Sequence, residues 1–267
     1  GSGVMSSLRS HARVIRVLWV IGLGLTIAGT FALMERLRVG HSMARRQRWT
    51  SWFMARLTAA LPFRVTVSGT LPAQPALWVS NHVSWTDIPL LGRLAPLSFL
   101  SKAEVRTWPV AGWLALKAGT LFIRRGSGDS KLIQKQMGQH LQGHHSLVIF
   151  PEGTTTDGTR LRTFHGRLLS SAIETGTPVQ PVAIRYVRDG KPDHIAPFIG
   201  DDDLLSHLRR LFANEVSDVH IQLLEPIASH GKERAALAFE AQAAVQTALF
   251  GEVAQPAELR SSTARAA

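Results

Sequence analysis

"ALWVSNHVSWTDIPL", residues 76–90, changes character twice over a short distance. The run 76–80 is apolar at successive positions, the pattern of a strand buried on both faces of a sheet. It stops at Asn81 and His82, where a polar loop begins. If residues 84–90 open a helix, Asp87 falls about one turn beyond His82. Its carboxylate then reaches back to one imidazole nitrogen, fixes the tautomer and leaves the other nitrogen free to accept a proton. Taken alone, His-x4-Asp is a weak signal. A hydrogen-bonded structural histidine is the commoner reason for it, and Asn81 by itself reads as a turn residue.

Further strand-like runs follow the same reading. "RVTVSG" (64–69) alternates like an edge strand. "LSFLS" (97–101), "TLFI" (120–123), "LVIF" (147–150), "PVQPVAIRY" (178–186) and "VHIQLL" (219–224) are short and apolar. Helical stretches lie between them. Residues 129–142 place Ile133, Met137 and Leu141 on one face, with Asp129 as a cap. Residues 166–175 stop at Gly176, and 232–249 form a last amphipathic helix. This alternation predicts an α/β domain with a mixed, largely parallel sheet flanked by helices, over residues 62–250. Residues 251–267 read as a flexible tail. Ligands in such sheets gather beyond the carboxyl ends of strands. "NHVSWTD", "PEGTTTDG" and "RRGSGDS" each follow a strand directly, so three polar loops are expected at one edge.

The N-terminal quarter differs from the rest. Residues 1–64 carry ten Lys/Arg against Glu35 alone, so most of the net charge of +11 sits there. "VLWVIGLGLTIAGTFALM" (17–34) holds no charge over 18 residues, close to the length that spans a bilayer. Arginines flank it on both sides, so charge gives no clean orientation. Residues 43–61 put Trp49, Trp52, Phe53 and Leu57 at helical spacing beside Arg45, Arg46, Arg48 and Arg56, as an interfacial helix does; a core-packing helix reads the same way. Residues 5–61 are therefore expected to be membrane-anchoring helices, and residues 1–4 an expression scar. The near-neutral remainder argues against a nucleic-acid partner. The absence of cysteine excludes disulfides, cysteine zinc sites and a cysteine nucleophile.

There is no Gly-x-Ser-x-Gly elbow, so His82 and Asp87 have no evident protein nucleophile to activate. A hydroxyl on a substrate is the natural target. In "FPEGTTTDG" (150–158), Glu152-Gly153 after a buried strand makes a tight turn that can present backbone N–H groups to an anion. Glu152 would repel a phosphate there unless its carboxylate holds a donor or a substrate hydroxyl.

Together the motifs resemble the glycerolipid acyltransferase family. "NHVSWTD" matches its N-H-x4-D motif, and "GTLFIRR" (119–125) its G-x-x-F-I-x-R motif, with Arg125 as the motif arginine. "FPEGT" (150–154) matches F-P-E-G-T, and "TPVQPVA" (177–183) matches V-P-[IV]-x-P-V. The bacterial 1-acyl-sn-glycerol-3-phosphate acyltransferases are most similar, with lyso-ornithine-lipid acyltransferases as near relatives.

The resemblance implies that His82, oriented by Asp87, is a general base for the hydroxyl of a lysolipid. That hydroxyl attacks the thioester of acyl-CoA or acyl-carrier protein. Neither a metal nor another cofactor is implied. Asn81, Arg125, Glu152, Gly153 and Thr154 become substrate-binding residues, with Arg125 on the acceptor's phosphate. An apolar channel for the acyl chain is expected from "TWPVAGWLAL" (107–116). The expected product is phosphatidic acid from lysophosphatidic acid, at the cytoplasmic face of the inner membrane. One departure favours lyso-ornithine lipid instead: Thr155 stands where the family often has arginine after F-P-E-G-T. A thioester hydrolase and a non-catalytic membrane adaptor are the remaining rivals.

Overall fold

The computed structural model describes residues 2–40, 42–123 and 130–251. Its sheet grows outward from the strand quoted first. All four side chains of β2 (Leu77–Ser80) are buried. It lies between β5 (Ser146–Ile149) and β6 (Val179–Arg188), parallel to both. β3 (Leu97–Lys102) pairs with β5, and β4 (Leu121–Ile123) with β3, again parallel. On the other side β8 (Ser217–Leu223) runs antiparallel to β6, and β1 (Phe63–Ser68) lies parallel to β8. β7 (Lys191–Pro192) folds back on the end of β6. The order is β1-β8-β6-β2-β5-β3-β4, with β7 beside β6. The sheet is mixed and largely parallel, as expected, and the alternating β1 is indeed an edge strand.

The pleat sorts the core into two layers. Trp78, Val148, Val182 and Ile184 face α1 (Ser2–Arg36), α2 (Met43–Ala60), α3 (Asp87–Gly92) and α7 (Leu204–Ala213). Leu77, Val79, Leu147, Ile149 and Ala183 face α5 (Ser130–Gln142), α6 (Ser170–Thr175) and α8 (Arg234–Phe250). Ile133, Met137 and Leu141 of α5 are all buried; its expected cap, Asp129, lies outside the described residues. Gly176 ends α6 in the left-handed region, where its N–H reaches the carbonyls of Ala172 and Ile173. Trp78 is completely enclosed, and truncating it to alanine is expected to cost about 3–5 kcal/mol.

The N-terminal quarter is not a separate unit. Val17, Val20, Ala28 and Phe31 of α1 are buried, while Leu18 and Trp19 on its outer side are 64% and 69% exposed. The α1–α2 crossing is tight: a Cβ on Gly24 would lie 2.5 Å from Phe53 Cε1. Both ends of α1 are tied to the sheet domain. Arg9 pairs with Glu215 at 2.5 Å, and Arg13 donates to the carbonyls of Phe212 and Asn214, each at 2.7 Å. Those carbonyls close α7, whose C-terminal dipole favours a cation. At the other end Glu35 accepts from Arg46 at 3.2 Å and from Lys117, the last residue of α4 (Ala111–Lys117), at 2.9 Å. In α2, buried Gln47 donates to Ser98 Oγ and to the carbonyl of Ser146. The boundary expected at residue 61 is therefore not a packing boundary, and Ser2–Val4, set aside as a scar, continue α1. Among the described residues, α1 is the one helix long and apolar enough to cross a membrane.

Candidate active site

The parallel strands β2 and β5 deliver the His82 loop and the Glu152 loop to the same sheet edge. The third loop expected there includes residues 124–129, outside the described residues, as is Arg125. α3 begins at Asp87 itself, later than residue 84, and a turn covers Trp85 and Thr86. That offset brings Asp87 Oδ2 to 2.8 Å from His82 Nδ1. The same oxygen accepts the backbone N–H of Val83 at 2.7 Å and of Ser84 at 3.0 Å. Asp87 Oδ1 accepts the phenol of Tyr186 at 2.5 Å, and the Tyr186 oxygen lies 2.7 Å from Thr86 Oγ1. Asp87 is wholly buried, and a buried carboxylate persists only with partners such as these. Burial, reinforced by the charge of Asp87, raises the Tyr186 pKa well above the usual phenol value. Tyr186 thus remains a donor at neutral pH.

The second loop fixes His82 from the other side. Its imidazole stacks on Phe150 at 3.9 Å between ring centroids. Its backbone N–H donates to Glu152 Oε1 at 2.8 Å, and its carbonyl accepts from Thr156 N–H at 3.0 Å. Glu152 Oε2 accepts the backbone N–H of Arg162 at 2.9 Å. Burial raises the Glu152 pKa, against the pull of those two N–H groups. Both oxygens of Glu152 thus accept from backbone, and the residue joins the two loops. Asn81 is also bound to backbone. Its amide donates to the carbonyl of Ile184 at 3.0 Å and accepts Ile184 N–H at 2.8 Å, extending the β2–β6 ladder by one side-chain pair. Gly153 closes the Phe150–Gly153 turn at φ +80, the left-handed region that favours glycine, and Thr154 beside it is half-buried.

With Nδ1 on a carboxylate, His82 Nε2 is the nitrogen left to exchange a proton with a substrate. Tyr186 went unread in the sequence. Its signal was faint: it is the only tyrosine in the chain, placed near the end of a buried strand. Among the described residues, no group of three or more His, Asp or Glu is placed to hold a metal ion.

An apolar cavity of about 410 Å³ lies under α1, α2, α4 and α7, within the range of ligand pockets. Trp108, Pro109, Val110, Ala111, Leu114 and Ala115 line it, as expected of the 107–116 stretch. Trp113 does not; it points partly outward. The His82 loop contributes Trp85.

Residues 63–185 match the family profile described as Acyltransferase. Over 250 residues the chain is 64% identical to a lyso-ornithine lipid O-acyltransferase of Pseudomonas aeruginosa, covering 94% of this chain and 97% of that protein. The chain belongs to the acyltransferase family. This acyltransferase is also 33% identical over 169 residues to a 1-acyl-sn-glycerol-3-phosphate acyltransferase of Neisseria meningitidis, 62% of this chain and 66% of that protein. In fold it is similar to the crystal structure of the 1-acyl-sn-glycerophosphate acyltransferase of Thermotoga maritima, with a TM-score of 0.59 and 21% identity, covering 92% of this chain and 99% of that one. The enzyme is thus an acyltransferase of the lysophosphatidic-acid and lyso-ornithine-lipid type.

Proposed function

We propose that this acyltransferase moves a fatty acyl group from acyl-CoA or acyl-carrier protein to the free hydroxyl of lyso-ornithine lipid. His82 Nε2 takes the hydroxyl proton as the oxygen attacks the thioester carbonyl. The C–S bond then breaks, and the sulfur leaves as a thiol carrying the proton from the imidazolium. Asp87, held by Tyr186 and two backbone N–H groups, stabilises that imidazolium. A thioester is already activated, so a positioned base suffices.

The observation that carries the acceptor is 64% identity, over nearly the whole of both chains, to a protein named for lyso-ornithine lipid. The residue after F-P-E-G-T supports it. Thr155 donates to the carbonyl of Phe198 at 2.5 Å and serves the scaffold where a phosphate-binding arginine was expected. The arginines that follow that loop, Arg160, Arg162 and Arg167, are all exposed. This reverses the sequence-based preference for lysophosphatidic acid; a zwitterionic headgroup needs no cluster of guanidiniums. Arg125 remains the candidate for the headgroup's anionic group. The decisive measurement is kcat/KM for the two lysolipids on the wild-type enzyme. At least about a tenfold preference for lyso-ornithine lipid is expected, and a preference for lysophosphatidic acid restores the other reading.

The enzyme works at a membrane surface, on the cytoplasmic face of the inner membrane in this reading. α1, tied to one domain at both ends, lies in the plane of the interface. Its outer face, with Trp19, meets lipid, and Trp49 and Trp52 of α2 add exposed indoles.

A further inference from the structure

Trp85 occupies a variable position of the N-H-x4-D motif, between His82 and Asp87, yet its indole is held as firmly as the catalytic pair. Its Nε1–H donates to His207 Nδ1 at 2.9 Å, and His207 Nε2 lies 2.7 Å from the carbonyl of Ala196. A carbonyl only accepts and an indole N–H only donates. His207 is therefore neutral, with its proton on Nε2 and a bare lone pair on Nδ1. It is completely buried. Burial first, then the charge of Arg210, lowers its pKa against the opposing pull of the Ala196 carbonyl and Asp202. Arg210 and Asp202 are the charged groups facing it.

The same few residues continue into the cavity wall. His207 meets Trp85 edge-on at 6.1 Å and Phe198 at 5.4 Å, and Phe198 meets Trp108 at 6.5 Å. Phe198 is pinned through its backbone, donating to the carbonyl of Val83 and accepting from Thr155. Trp85 and Trp108 both line the apolar cavity, and α7, which carries His207, adds Leu204 and Leu208. Packing alone is served by a leucine at 207. What the histidine adds is an acceptor for one indole N–H, and so one orientation of Trp85.

We propose that Trp85 is a specificity-determining residue for the transferred acyl chain and that His207 is the positioning residue that sets its indole. The inference rests on the reading that the cavity takes the fatty acyl chain of the donor. Trp85 is the lining residue closest in sequence to His82. In this reading the indole, carried on the same loop as His82, forms part of the wall the chain lies against, and a chain whose contour does not fit that wall is poorly placed for reaction.

The test uses full-length enzyme, lyso-ornithine lipid and a series of saturated acyl-CoA thioesters from short to long. The readout is the ratio of kcat/KM between long and short donors. Trp85→Leu, which enlarges the wall, should move the optimum to longer chains and change that ratio by about tenfold or more, the scale of a methylene in a fitted pocket. His207→Leu, which leaves the indole N–H without an acceptor, should flatten the profile. Trp85→Phe removes the same bond from the other side and should flatten it too, even if His207→Leu fails to fold. His207→Gln can accept from Trp85 and donate to Ala196, so it should restore the wild-type profile. A ratio within about twofold of wild type in both Trp85 variants overturns the proposal. A His207→Gln profile as flat as that of a folded His207→Leu overturns the positioning role. If the wild type transfers no acyl group from any thioester, the proposed function falls first, a result distinct from an unchanged profile.

Discussion

The phenol of Tyr186 donates to Asp87 Oδ1 while His82 Nδ1 lies on Oδ2, so the carboxylate is gripped from both sides. Tyr186→Phe deletes one grip and little volume. A hydrogen bond to a charged group is worth about 1.5–3 kcal/mol. We therefore expect kcat to fall roughly ten- to hundredfold with acceptor KM little changed. Steady-state kinetics check this, and an unchanged kcat would leave Tyr186 a packing residue.

His82→Ala is expected to lower turnover by about two to four orders of magnitude, the scale of a lost general base. Asp87→Asn should lose most activity, because its amide N–H₂ must face donors now satisfied by oxygen: Tyr186 on one side, or His82, Val83 and Ser84 on the other. Circular dichroism and vesicle sedimentation of the His82 variant should match wild type. Comparable turnover in that variant would sink the mechanism.

The lie of α1 is open to a chemical test, since the chain has no cysteine. Met5→Cys and Leu37→Cys place single thiols at exposed positions near its two ends. With both ends of α1 tied to one domain, a membrane-impermeant maleimide should reach both thiols from the same side of the bilayer. Labelling from opposite sides would show a spanning helix.

Acid should destabilise the fold through His140. Burial, then His145, lowers its pKa to about 4, against about 6.5 in the unfolded chain. Between those values the unfolded state binds more protons. Stability present above about pH 6.5 is therefore lost as pH falls toward 4, amounting to about 2 kcal/mol by pH 5. The Tm of wild type should drop more over that range than the Tm of His140→Leu. Parallel curves would remove His140 from the account.

The sheet was legible because buried strands such as "ALWVS" and "LVIF" are apolar on both faces, and the His82–Asp87 contact because the short spacing lets the carboxylate reach back to the imidazole. Other features were not. α7 shows few buried positions, since it covers the sheet with Leu211, Phe212 and a histidine. Glu152 and Asn81 are substrate contacts only by resemblance, and their residue types do not reveal their partners, because polar residues in a loop carry no mark of them. Their partners, Arg162 N–H and the backbone of Ile184, are main-chain groups common to every residue. Thr155 read as a loss of arginine; its engagement with Phe198 depends on a contact 43 residues away.

The tether of α1 sets an order of events. Arg9 and Arg13 find their partners about 200 residues downstream. At ordinary rates of synthesis, about 10–40 s pass between the appearance of α1 and that of α7. Through that interval α1 has an apolar face and no α7 to cover it. Lipid is the apolar phase within reach, so we expect the nascent chain to attach to a membrane before its fold is complete, with α7 docking afterwards onto a helix already resting on the bilayer.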